Sequence, residues 1–233
     1  MKITILTLFP EMFKGPFDLS ILKKARGKKL LELSIRNIRD FGIGRHKLVD
    51  DTPYGGGVGM VMRVDVLHKA IESVKENLPK EKQKVVLLSA RGRLFNQSLA
   101  KKYADLQHLL LVCGHYEGVD ERITKYIDEE LSVGDVVTTG GEIPAMIVTD
   151  AVSRLIPGVL KQDATLHESF SLFDKDSTLL EYPHFTSPRE YDSQKVPEIL
   201  LSGDHKKIAL WQHDQAKRKT RATRPDLLKK KPY

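Results

Sequence analysis

Apolar residues in this chain fall either into short uninterrupted runs or into longer helical spacings, and the two kinds alternate. Residues 109–112 are apolar throughout, as a strand buried on both faces requires, and 85–88 repeat the pattern. Residues 2–9 predict a first strand, ended by Pro10. Residues 32–38 alternate, with Leu33, Ile35 and Asn37 on one face, and predict a strand with one wet side. Residues 21–25 predict a short helix. Val66, Leu67, Ala70, Ile71 and Val74 give 64–74 an apolar helical stripe, and Asn96 can cap a helix running to Tyr103. Residues 117–130 read as a charged helix and 136–137 as a second short apolar strand. A helix over 144–156 would bury Val148, Ala151, Val152, Leu155 and Ile156. Pro144 suits its first turn, where a missing N–H has no partner to lose. Strands alternating with helices, several strands uniformly apolar, predict an α/β fold: a parallel sheet with helices on both faces.

Pro157-Gly158 ends that pattern and closes a first domain over residues 1–160. Residues 161–193 are polar, with Asp174-Lys175-Asp176 and prolines at 183 and 188, and predict an interdomain linker with little regular structure. A small helical domain over 194–233 follows. Ser202 or Asp204 caps a helix to about Lys217 anchored by Ile208, Leu210 and Trp211, and a last short helix starts at Arg224-Pro225. Some forty residues bury little core alone, so this domain needs a surface to pack on, a partner subunit or RNA.

Charge sharpens that picture. The formal net charge is +7, yet residues 203–233 hold ten Lys/Arg against three Asp/Glu, leaving 28 of each in residues 1–202. The whole excess sits in the tail, with Lys217, Arg218 and Lys219 consecutive, which points to a polyanion. Too few apolar positions accompany it for a membrane-inserting face, and no apolar run approaches a membrane span. The single cysteine, Cys113, allows no internal disulfide, suits a reducing cytoplasm, and reads as a buried strand residue rather than a nucleophile. No His/Cys cluster has zinc-ligand spacing, so no metal site is expected.

Candidate chemistry gathers where strands end. Gly114-His115-Tyr116-Glu117-Gly118, Ser132-Val133-Gly134-Asp135 and residues 138–144 with Gly140-Gly141 are loops that expose backbone N–H and C=O groups with few bulky side chains. Glycine turns at the carboxyl ends of parallel strands make the ligand crevice of an α/β sheet. No glycine loop here ends in Lys-Ser or Lys-Thr, and no G-x-G-x-x-G opens a helix, so a P-loop or standard dinucleotide site is not indicated. Residues 41–61 form a long polar loop holding Arg45, His46, Asp50, Asp51 and PYGGGVGM, and a loop of that length inside a compact domain is usually functional.

Several strings carry a resemblance: CGHYEGVDER, IDEELSVGDVVTTGGEIPAM, SRLIPGVL, LFPEMF, RHKLVDDTPYGGGVGM and EYPHFTSP. Together they closely resemble the bacterial tRNA (guanine-N1)-methyltransferases of the TrmD type, in the SPOUT superfamily, over nearly the whole chain and in the family's order. The resemblance implies S-adenosylmethionine held in a C-terminal trefoil knot of the first domain, a homodimer whose active site is shared between subunits, and tRNA as substrate. It implies methylation of N1 of the guanine immediately 3′ of the anticodon. Carried over position by position, the cofactor residues are Leu88, Ser89, Gly114, Tyr116, Glu117, Gly118, Ser132, Val133, Gly134, Asp135, Val136, Val137, Thr138, Gly140, Gly141 and Pro144. The resemblance puts a substrate contact on Asp50, and the charge pattern adds the tail's Lys217, Arg218 and Lys219.

Guanine N1 carries a proton at neutral pH and must lose it before it can attack the methyl group, so the site needs a base and a cation to steady the developing charge. The resemblance assigns these roles to Glu168 and Arg154. Glu168 stands where the family usually has aspartate, with Asp163 and His167 as alternative bases. Other departures are Ala90 for a common proline, Val136 for an aromatic, Thr138 for leucine, Ser187 for an arginine, and a few extra residues between 170 and 179, read as a mobile loop. Two other classes remain open on the residues alone: an RNA-binding protein with a vestigial pocket, and a nucleotide hydrolase using the 55–57 glycines.

Overall fold

The computed structural model describes residues 1–161, 163–174 and 177–228. The chain divides into two compact units, 1–160 and 161–233. In the first, the elements run β1 (Lys2–Thr7), α1 (Ser20–Gly27), β2 (Glu32–Asn37), β3 (Asp50–Asp51), β4 (Val61–Met62), α2 (Val64–Val74), β5 (Gln83–Leu94), α3 (Gln97–Ala104), β6 (His108–Cys113), β7 (Glu129–Ser132) and α4 (Glu142–Ser153). Five strands form one parallel sheet in the order β2-β1-β6-β5-β7.

β6 lies at the centre and every one of its residues is buried, which is why its sequence shows no alternation. Its side chains still divide between two cores. Leu109, Leu111 and Cys113 join Ile3, Ile5, Val86 and Leu88 on the face that α1, α3 and α4 cover. Leu110 and Val112 join Leu6, Val85 and Leu87 on the face that α2 covers. Helices on both faces therefore follow from apolar residues at odd and even strand positions alike. The helix over 64–74 and the Asn96 cap stand as read; Asn96 accepts from Leu99 N–H at 3.0 Å. The helix read from 144 begins two residues earlier, at Glu142.

Two readings of this unit are corrected. Residues 117–130 are not one helix: a 3-10 turn covers Glu121–Lys125 and the chain then enters β7. Ile123, Ile127 and Leu131 have helical spacing, but β5 offers an open edge, and Val85 N–H donates to the Asp128 carboxylate at 2.7 Å, drawing the segment into the sheet. Tertiary pairing overrides local periodicity here. Residues 136–137 form no strand. Val136 and Val137 are 61% and 89% exposed in an irregular turn and pair with no strand among the described residues.

The second unit carries the hairpins β8 (Leu172–Asp174) with β9 (Ser177–Leu179) and β10 (Glu190–Tyr191) with β11 (Gln194–Lys195), then α5 (Glu198–Leu201) and α6 (His205–Thr223). Asp204 caps α6 by accepting from Lys207 N–H, and the helix runs six residues past the expected Lys217. The segment read as a linker is thus more regular than its polarity suggests. Leu179 is fully buried, and Leu180 N–H donates to Thr220 Oγ1 of α6 at 2.9 Å. The described part of 171–178, expected as a mobile loop, is the two paired strands of this hairpin; Lys175 and Asp176 lie outside the described residues. A hairpin supplies the apolar contact that a small helical piece lacks.

Candidate active site

The carboxyl ends of β5, β6 and β7 open onto one cavity of about 290 Å³, at the lower end of the range of small-molecule pockets. Its walls come from three backbone features. The first is in β5, whose pairing with β7 slips between Leu88 and Arg93, so that Ser89, Ala90 and Arg91 loop out over the pocket. Gly92 closes this loop because a side chain there would run into the Glu130–Leu131 backbone. The second is the turn after β6, where Tyr116 takes the left-handed conformation (φ +60°) and Gly118 a glycine-only one (φ +131°). The third is the turn into α4. Gly141 N–H donates to Gly114 O at 2.8 Å, and a Cβ on Gly141 would lie 2.6 Å from Cys113 Cα. Two chain segments meet there backbone to backbone.

The residues named for the cofactor converge on this cavity with two exceptions. Leu88, Ser89, Gly114, Tyr116, Glu117, Gly118, Ser132, Val133, Val136, Val137, Thr138, Gly140, Gly141 and Pro144 all line it. Gly134 and Asp135 do not; Gly134 instead forms the bend (φ +156°) that Ser132 Oγ holds by donating to Gly134 O at 2.8 Å. Lining residues outside that set include Leu87, Ala90, Arg91, His115, Val119, Leu131 and Thr139. Most are immediate chain neighbours of the named ones, and only the bulge in β5 brings Arg91 over the rim.

Beneath the rim lies a polar contact between positions far apart in the chain. Glu142 is buried at the start of α4, and Thr7 Oγ1 donates to its carboxylate at 2.7 Å while accepting from Phe9 N–H at 2.9 Å. This ties the ends of β1 and α4 together. Cys113 is wholly buried, and burial pushes its thiol well up, so it stays protonated and unreactive.

The long 41–61 loop folds onto the same region. β3 and β4 pair as a hairpin, with Asp50 opposite Met62. Met60 O accepts from Glu117 N–H at 3.1 Å and Gly118 O accepts from Met62 N–H at 3.0 Å, so the loop is laced to the pocket's own wall. Asp50 is half-buried beside it, while Asp51 pairs with Arg63 at 3.0 Å. Arg154 follows α4 directly, its N–H donating to Asp150 O at 3.2 Å. Glu168 belongs to the second unit and is half-buried, with exposed His167 and Asp163 nearby in the chain.

The basic tail is only partly available as free charge. Lys217 pairs with Asp174 at 2.9 Å, which holds that carboxyl below its usual range, and Arg218 pairs with Asp214 at 2.8 Å. Lys219 and Arg221 are exposed and, among the described residues, have no carboxylate partner. Among the described residues, no cluster of His, Cys, Asp or Glu could hold a metal ion, and no helix is long and apolar enough to cross a membrane.

A parallel sheet whose strand ends and glycine turns line a cavity is the arrangement in which α/β proteins take a ligand. Within that class the chain belongs to the family described as tRNA (Guanine-1)-methyltransferase TrmD, whose model matches residues 1–230. Proteins named tRNA (guanine-N(1)-)-methyltransferase from Dictyoglomus turgidum and Carboxydothermus hydrogenoformans are each 52% identical to it over 231 residues. These alignments span 99% and 98% of this chain and 91% and 88% of the relatives. A third, from Dehalococcoides mccartyi, is 49% identical over 99% of this chain and 91% of its own length.

Proposed function

We propose that this protein transfers a methyl group from S-adenosylmethionine to N1 of a guanine in tRNA, the one immediately 3′ of the anticodon. The observation that carries this is the cavity built from the turns after β6 and before α4, in a chain whose relatives are named tRNA (guanine-N(1)-)-methyltransferase. The cavity fits the cofactor's chemistry. Its turns present main-chain donors and acceptors to a flat heterocycle, and exposed Val136 and Val137 offer apolar surface. Bound there, the cofactor supplies an electrophilic methyl on its sulfonium.

The protein's task is the acceptor. Glu168 takes the N1 proton and Arg154 steadies the negative charge that develops on the base. Both act in a homodimer, across the interface between subunits. An apolar strip on α4 supports the dimer: Ile143 and Ile147 are exposed one helical turn apart, with exposed Met12 on the neighbouring Pro10–Phe13 turn and exposed Phe9 just before it. The C-terminal trefoil knot of the SPOUT fold is part of this reading, and the close backbone approach of Gly141 to Cys113, with no room for a Cβ, supports it. The 194–233 segment is the tRNA-binding piece, 161–193 joins it to the first domain, and the cytoplasm is where such a substrate is met.

The test is methylation of unmodified tRNA with the product base mapped, beside calorimetry with S-adenosylmethionine and with ATP. Label appearing at N1 of that guanine with cofactor binding supports the reading. Binding of ATP alone, or of tRNA with no methyl transfer, overturns it.

A further inference from the structure

Within the loop laced to the pocket wall, one aromatic ring has no protein surface to rest on. Tyr54 is 100% exposed and Val58, four residues on, is 93% exposed. Gly55, Gly56 and Gly57 all have positive φ (+88°, +80° and +134°). At Gly55 and Gly56 a Cβ would meet nothing, so those glycines serve the path of the backbone and not close packing. That path lifts Tyr54 away from the body while the loop's other end stays fixed. A side chain on Gly59 would strike the Glu117 side chain, and Met60 O accepts from Glu117 N–H.

The chemistry of the reaction gives this ring an occupant. N1 lies on the pairing edge of guanine, and an enzyme acting on a base takes it out of the stack and into a pocket. Removing one base leaves its neighbour without a stacking partner. An exposed aromatic side chain on the loop bonded to the pocket's wall can replace that partner, because every base has a π-face to offer. We propose that Tyr54 stacks on the nucleobase adjacent to the methylated guanine and holds the anticodon loop open while the target occupies the pocket. Tyr54 is then a positioning residue for the substrate and touches neither the methyl group nor the cofactor. This rests on the tRNA methyltransferase reading above.

The experiment compares wild type with Tyr54→Ala, Tyr54→Phe and Tyr54→Trp by steady-state kinetics on tRNA, with cofactor affinity measured by calorimetry. A tRNA carrying 2-aminopurine on either side of the target reports base stacking by fluorescence. Stacking of this kind is worth about 5- to 150-fold in binding. Tyr54→Ala is expected to raise the KM for tRNA by that order with kcat changed less and cofactor affinity unchanged, while Tyr54→Phe and Tyr54→Trp stay near wild type. The flanking 2-aminopurine should be quenched by the wild type and brighter with Tyr54→Ala. An unchanged KM in Tyr54→Ala, or an equal loss in Tyr54→Phe, overturns the proposal. A loss of cofactor affinity in Tyr54→Ala that Tyr54→Trp also shows overturns it as well, by making the loop a cofactor element. A wild type that methylates no tRNA overturns the functional reading instead.

Discussion

Three single residues show how far a side chain's meaning depends on what surrounds it. Glu168 stands out in the sequence because it precedes Ser-Phe, and its half-buried place in the second unit leaves its carboxyl to be tested by chemistry. Glu168→Gln should bind cofactor and tRNA nearly as before yet lose roughly 10²–10⁴ in single-turnover rate, with Glu168→Asp recovering part of it. A wild-type rate in Glu168→Gln would pass the role to Asp163 or His167. Gly141 teaches the opposite lesson. Its side-chain space is occupied by the Cys113 backbone, not by the cavity, so Gly141→Val should lower Tm as well as abolish cofactor binding. His108 is wholly buried, its Nδ1–H donating to Gln83 Oε1 and its Nε2 accepting from Thr4 Oγ1, both at 2.9 Å. Burial pushes its pKa below the usual value, with Glu76 and Glu32 pulling upward and Lys2 adding to the depression. The unfolded chain therefore binds the proton more tightly. The stabilisation is complete above about pH 6.5 and is lost as pH falls toward the folded value. Denaturant unfolding at several pH values should show that loss, and His108→Asn should flatten it.

Among the elements, β7 and the β8–β9 hairpin are the ones that local pattern misses. β7 is charged along half its length, and it becomes a strand because β5 leaves an edge open and Asp128 extends the ladder by accepting from Val85 N–H. The hairpin sits in a polar stretch, and its one deep anchor is Leu179, beside the Thr220 hydroxyl of α6. If the hairpin is part of the second unit's core, Leu179→Ala should cost about 2–5 kcal/mol of stability by chemical denaturation. A linker position would tolerate the same change within about 0.5 kcal/mol. By contrast β6, α2 and the Asn96-capped α3 follow directly from uniform apolarity, helical spacing and a capping residue. In those elements local preference and tertiary burial demand the same residues.

At the scale of the whole molecule, the charge of +7 resolves into a tail whose cations are unequal. Lys217 and Arg218 already have carboxylate partners and must exchange them for phosphates, whereas Lys219 and Arg221 have none among the described residues. Replacing Lys219 and Arg221 by alanine should therefore reduce the slope of log K against log salt for tRNA binding, by about one for each phosphate that these side chains neutralise. Lys217→Ala should change it less, because Asp174 is released at the same time. An unaltered slope in the Lys219, Arg221 double variant would move the RNA surface away from α6. The apolar strip of Ile143 and Ile147 makes a second claim at this scale. Sedimentation at micromolar concentration should give a dimer, and a lone 26.4 kDa species would remove the shared-site arrangement.

The α/β class, the buried strands, the main helices, the glycine turns and the basic tail were all legible in the residues, since each rests on a local rule: uniform burial, a 3.6-residue period, a cap, a positive φ, a run of like charge. Long strings in a family's order carried the choice of chemistry. What only the tertiary structure decided are the relations between distant segments. Helical spacing over 117–130 gave way to an open sheet edge, and Val136-Val137 became an exposed turn lining the cavity instead of a strand. Thr7 reached Glu142 across most of the first unit, and Gly141 met Cys113 with no room for a side chain. Tyr54 was left fully exposed by a loop whose glycines set its path. Periodicity reports which side of an element is buried. It does not report which other element covers it, and the pocket consists of those coverings.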